Sequence, residues 1–154
     1  MKHWLVKSEP NVFSVDDLAE CPDQTRWWKH VRNYQARNFM RDGMRKGDGV
    51  LFYHSRVKPM CVAGTAKVVR NAYPDPAQFD PKSKYHDAGS DPADPRWICV
   101  DIAFDRELPR VVTLAELKAE PALAKMMVTQ RGARLSVQPV TPAEFKAVLA
   151  MSKT

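Results

Sequence analysis

Apolar runs long enough to cross a bilayer are missing from this chain of 154 residues. None approaches the roughly 18 consecutive apolar residues that a membrane helix needs. Residues 1–15 lack the apolar segment of a secretory signal, because Lys7, Glu9 and Pro10 interrupt it. A membrane partner is therefore not expected. Cysteine is scarce: Cys21, Cys61 and Cys99 are odd in number and widely spaced. That argues against a disulfide framework and against a Cys-x-x-Cys metal site. Such usage fits a reducing, cytoplasmic location, and Cys61 and Cys99 lie in apolar runs as core thiols. The six glycines are scattered and form neither a phosphate-binding P-loop nor a dinucleotide fingerprint. Neither ATP nor NAD has support, and no cofactor is expected. His3, His30, His54 and His86 contain no i, i+4 pair, so no metal is expected either. A nucleophile elbow is missing too. Ser55 follows His54 directly, and adjacent strand residues point to opposite faces, so the two do not make a nucleophile–base pair.

What is present is enough for a core. Hydrophobic residues make up 44% of the chain and charged residues 27%, close to the globular average. The length fits one domain over residues 1–154, expected as a monomer. A net charge of +6 and a pI near 9.3 suit a polyanionic partner, nucleic acid above all. The plainer reading is a surplus of lysine and arginine that only aids solubility.

The pattern of elements is mixed. His3–Lys7 reads as a strand. Ser14 with Asp17 caps a helix near 15–20. Asn33 caps a helix from Tyr34 to about Asp42, which Gly43 stops. Val50–Tyr53 and Met60–Val69 read as strands, with Gly64 marking a bulge. Residues 71–96, rich in proline, read as a long surface loop whose aromatics (Tyr73, Phe79, Tyr85) set it apart from a linker. Trp97–Phe104 is a strand, Thr113 and Glu116 open a helix, and residues 121–134 are ambiguous. Leu135–Val140 is a last strand, placed at an edge by Pro139. Thr141, Pro142 and Glu144 start a terminal helix. No regular strand–helix alternation appears, so a doubly wound sheet is disfavoured. The expectation is an α+β fold: a mostly antiparallel curved sheet or barrel with peripheral helices.

Two stretches interleave aromatic, basic and amide groups. In the first, residues 26–38, aromatic faces would stack bases for about 1–3 kcal/mol each. Its cations would neutralise phosphate, and its amides would read a base edge. The plainer reading is an amphipathic helix in which Asn33 is only a cap. In the second, residues 51–55, alternation puts Phe52 and His54 on one face and Leu51, Tyr53 and Ser55 on the other.

At these residues the chain resembles the EVE-domain family. The resemblance runs from His3 to about Leu149 and rests on six stretches in order. These are Trp4–Pro10, Val31–Phe39, Phe52–Ser55, Ala72–Asp75, Arg96-Trp97 with Val100-Asp101, and Arg134–Pro139. One departure is that the family often has Trp-Asp-Gly where this chain has Trp28-Lys29-His30. The resemblance implies a PUA-like fold and kinship with YTH domains, which hold a methylated adenine in an aromatic cage. It also implies non-catalytic binding of a modified base, such as methylated or hydroxymethylated cytosine in DNA, or a modified base in RNA.

The site expected on that basis has Trp28 stacking the base as a pocket wall. Lys7, Ser8, Glu9 and Asn33 contact the base edge, and Tyr53, His54 and Ser55 form the opposite wall. Tyr73 and Asp75 close the rim, and Arg32, Arg37 and Arg134 meet phosphates. An alternative is an enzyme acting on RNA or on a modified base, with Glu9 and His54 as an acid–base pair. A third reading is a protein-interaction module with an incidental basic surface.

Overall fold

The structure, a computed structural model, describes residues 1–154. Its six strands are β1 (His3–Ser8), β2 (Thr25–Trp28), β3 (Gly49–His54), β4 (Cys61–Pro74), β5 (Ile98–Thr113) and β6 (Val137–Val140). They form one sheet in the order β2-β5-β4-β3-β1-β6. Only β1 and β3 run parallel; every other pair is antiparallel. The expected α+β, PUA-like class holds, as an open sheet rather than a closed barrel. Four helices flank it: α1 (Val15–Glu20), α2 (Tyr34–Asn38), α3 (Leu114–Ala119) and α4 (Pro142–Met151).

Strand alternation gives the sheet a core on each face. Trp4, Val6, Val50 and Phe52 point to one face, with Val15 and Leu18 of α1 and Ala36 of α2. Leu5, Leu51 and Tyr53 point to the other, with Leu117 of α3 and Val148 of α4. Leu5 and Leu51 are fully buried, and each such side chain contributes about 1.5–3 kcal/mol. The helix starts follow the sequence signals: Ser14, Thr113 and Thr141 each form a reciprocal capping box.

The bulge expected at Gly64 is present, between Val62 and Gly64. A Cβ there would lie 2.7 Å from Val15 Cγ2 and 2.9 Å from the Arg106 carbonyl oxygen. Pro139 sits on edge strand β6, opposite Trp4, and β6 starts at Val137 rather than Leu135. Three expectations need correction. The helix from Tyr34 toward Asp42 ends at Asn38 and gives way to a π-turn over Phe39–Gly43, closed by Met44 N–H donating to the Phe39 carbonyl at 2.9 Å. The strands begun at Met60 and Trp97 run on to Pro74 and Thr113 as one long hairpin, which shortens the surface loop. Residues 25–28 are a strand, not the start of an amphipathic helix, and pair with β5 at the free edge.

Candidate nucleic-acid site

The parallel pair β1–β3 decides where the site lies. Lys7 sits beside Tyr53 and Ser8 beside His54. Alternation sends Lys7 and Tyr53 to one face and Ser8 and His54 to the other. The residues expected to make one pocket therefore divide between two cavities at the same end of the sheet.

The first is an aromatic cleft of about 210 Å³, lined by Ser8, Phe13, Trp27, Trp28, His30 and Tyr85, with Arg26 and Lys29 at its rim. Trp28 meets Phe52 edge-on at 5.6 Å and Phe13 at 6.5 Å. It is thus half-buried against the core, as well as being the pocket wall expected of it. His30 stacks on Tyr85 with ring centroids 3.8 Å apart and planes 14° from parallel. Lys29 Nζ lies 3.9 Å from the Trp27 ring and the Arg26 guanidinium 4.2 Å from the Phe13 ring. Burial, aided by Arg26, lowers the Lys29 ammonium. Burial also lowers the His30 imidazole, with Lys29, Arg32 and Arg26 acting in the same direction against Asp75. Ser8 Oγ donates to the Phe13 carbonyl at 2.5 Å and keeps lone pairs free to accept.

His30 has φ +67°, the left-handed conformation that glycine adopts most easily. The position where the family often has glycine is therefore left-handed here with an imidazole on it. Asp75 holds it in place. That carboxylate is fully buried and accepts from His30 N–H at 2.9 Å, Arg32 Nη1 at 3.2 Å and Ala77 N–H at 2.9 Å.

The second cavity is a groove of about 820 Å³ on the opposite face. Lys7, Tyr53, Ser55 and Arg134 line it, joined by Lys118 and Arg131. Burial lowers the Lys7 ammonium and pushes the Tyr53 hydroxyl up to about 12.

Several expected contacts are structural instead. Asp75 is not a rim residue, since it is enclosed. Tyr73 donates its hydroxyl to Asp101 at 2.5 Å on β5 and lies outside the cleft. Asn33 caps α2, accepting from Ala36 N–H at 3.0 Å. Arg32 is engaged by Asp75 and by the Tyr85 carbonyl at 3.0 Å. Arg37 is engaged by the Arg96 carbonyl at 3.0 Å and by Asn38. Both guanidiniums are thus already engaged within the protein. Glu9 pairs with Arg56 at 3.1 Å. His54 Nε2 accepts from Val15 N–H at 3.1 Å, and burial lowers its pKa. The lone pair a general base would use is occupied, so the Glu9–His54 pair is not formed. The expected set omitted His30 and Tyr85 in the cleft and Lys118 and Arg131 in the groove. Tyr85 had a signal as an aromatic in a long loop; Arg131 lay in a segment without periodicity.

Comparison with known proteins gives a consistent answer. The family model described as EVE domain matches residues 2–151. Human thymocyte nuclear protein 1 is 42% identical, covering 98% of this chain and 74% of that protein. The crystal structure of human THYN1 protein in complex with 5-methylcytosine-containing DNA superposes with a TM-score of 0.92 at 41% identity, covering 100% of this chain and 99% of that one. A crystal structure of a Pseudomonas putida protein gives 0.91 at 43% identity, covering 97% and 99%.

Proposed function

The chain belongs to the EVE-domain family, and from that premise we propose that it holds a modified cytosine of DNA, methylated or hydroxymethylated, in the aromatic cleft without turning it over. The observation that carries the reading is that cleft, beside the end of β1, in a chain so similar to a protein solved with 5-methylcytosine DNA. Trp28 and the His30–Tyr85 stack supply flat faces for a base. Ser8 supplies a lone pair for an exocyclic N–H, and Arg26 and Lys29 supply charge for the flanking phosphates. Lifting a base from a duplex costs a few kcal/mol, and stacking at about 1–3 kcal/mol per aromatic face offsets it.

A buried methyl adds about 0.8 kcal/mol and one satisfied edge contact about 0.5–1.5 kcal/mol. Selectivity of roughly tenfold to fortyfold follows at 1.4 kcal/mol per decade. Matched oligonucleotides with and without the modification, titrated at fixed salt, check this. Equal affinity across the panel would overturn it. The same titration with RNA strands tests the sister reading of a modified RNA base, which the cleft's chemistry also accepts. We further propose that the chain acts as a monomer in the cytoplasm, in keeping with its three free thiols. Light scattering and imaging of a tagged chain would refute this by showing an oligomer or a location elsewhere.

A further inference from the structure

We propose that the groove on the opposite face from the aromatic cleft is a second site, built to take a phosphate group next to the bound base. The proposal deepens the reading above and rests on it for the polymer, but not for the anion. Three observations point to a ligand. The first is charge. Lys7, Lys118, Arg131 and Arg134 line the groove, and no aspartate or glutamate does.

The second is availability. Every arginine of the chain other than Arg131 and Arg134 is engaged by a carboxylate, a backbone carbonyl or an aromatic ring. Those two are exposed, unpartnered, and in the same groove. Chance placement of surplus charge would scatter free arginines over the surface.

The third is preorganisation. Gly132, at φ +77°, turns the backbone between the two arginines. Lys7 Nζ, half-buried, donates to the Ala133 carbonyl at 3.1 Å and pins that turn to β1. Just before it, Gln130 Nε2 donates to the Ala124 carbonyl at 2.8 Å, and Thr129 Oγ1 to the Met126 carbonyl at 2.7 Å. The loop is tied at both ends while its guanidiniums stay free. Tyr53, only 2% exposed, lines the floor and makes no hydrogen bond through its hydroxyl within the protein, so an O–H donor is left for a ligand oxygen. A guanidinium fork matches phosphate geometry.

The two cavities lie on either side of the end of β1. Lys7 and Ser8 are consecutive, their Cα atoms about 3.8 Å apart, and they face opposite ways. A strand whose base enters the cleft beside Ser8 can carry its next phosphate past the end of β1 to the groove.

The test uses the full chain and the variant Arg131→Ala/Arg134→Ala. Both side chains are exposed and unpaired, so its thermal melt stays at the parent's. Affinity for plain and modified oligonucleotides falls by the same factor, leaving their ratio unchanged. The plot of log affinity against log salt flattens by about 1.5, from about 0.7–0.9 per lost contact. An unchanged slope overturns the proposal, as does loss of the ratio at constant slope. Failure of the cleft reading looks different, as equal affinity for both strands in the parent chain with the slope change intact. A second arm follows the Arg131 and Arg134 Nε–Hε resonances as cytidine 5′-monophosphate or cytidine is added. Shifts with the monophosphate alone assign the site to a free nucleotide's phosphate. Shifts only with the oligonucleotide assign it to the polymer backbone. No shift with any phosphorylated ligand refutes it.

Discussion

The Trp28 indole faces the core on one side and the cleft on the other, so a substitution there reads out both. Full Trp→Ala truncation of a buried ring costs about 3–5 kcal/mol. For this half-buried ring, Trp28→Ala is expected to lose about 1–3 kcal/mol, along with base binding. Trp28→Phe retains the edge contact with Phe52 but offers less stacking surface. It should melt near the parent and bind the modified strand several-fold more weakly. A Phe variant that melts well below the parent yet binds normally would show that Trp28 serves the core alone. The placement of Ser8 and Trp28 at the cleft was legible, because each stands at a strand end with a side chain suited to a pocket wall. Arg32 and Asp75 were not, because the charge each one meets lies 43 positions away and no local pattern announces it. Asn33 shows the same limit, since one amide is equally good as a cap and as a base reader.

At the scale of elements, local chemistry was readable and long-range pairing was not. Capping boxes are written in four consecutive residues, and all three formed. The extension of β4 and β5 through arginine, glutamate and proline is decided by each strand's partner, which the sequence of either strand does not show. Likewise β2 has four residues, two of them tryptophan, and becomes a strand because β5 offers a free edge. The π-turn after α2 ends on a glycine that packing requires. A Cβ on Gly43 would lie 2.5 Å from Trp4 Cη2 and 2.9 Å from Cζ2. Overpacking of this kind costs about 1–3 kcal/mol. Gly43→Ala should lose that much in urea denaturation, with the transition moving to lower urea at constant slope. A variant as stable as the parent would mean that the Trp4 ring moves aside freely.

Taken as a whole, the molecule carries a stability that depends on pH in two steps. His3, His30 and His54 are all held below the ordinary imidazole range, with burial the largest cause in each. A folded pKa below the unfolded one means that the unfolded chain takes up protons first. The neutral rings' contribution is therefore whole above pH ~6.5 and is lost as the pH falls below that. A second loss begins below about pH 4. There Asp48 takes up protons; burial works against its charge, but the N–H groups of Trp4, Arg45 and Lys2 outweigh it and keep it low. The melting temperature should be level from about pH 8 to 7, decline between about 6.5 and 5, and drop again below 4. His54→Gln, whose amide oxygen can still accept from Val15, should shrink the first decline. A melting temperature unchanged between pH 7 and 5 would contradict this account. The arrangement along β1 has one further consequence, for ancestry. Even-numbered positions serve the cleft and odd-numbered ones the groove, so the strand has a parity. Deleting or inserting a single residue upstream of Lys7 within β1 would exchange odd for even. The lysine would then face the aromatic cleft and the serine the basic groove, while both cores were turned inside out. Descendants of this chain can trade side chains at either cavity one at a time, but a change of one residue in β1 needs a bulge to absorb it, as happens in β4 at Gly64.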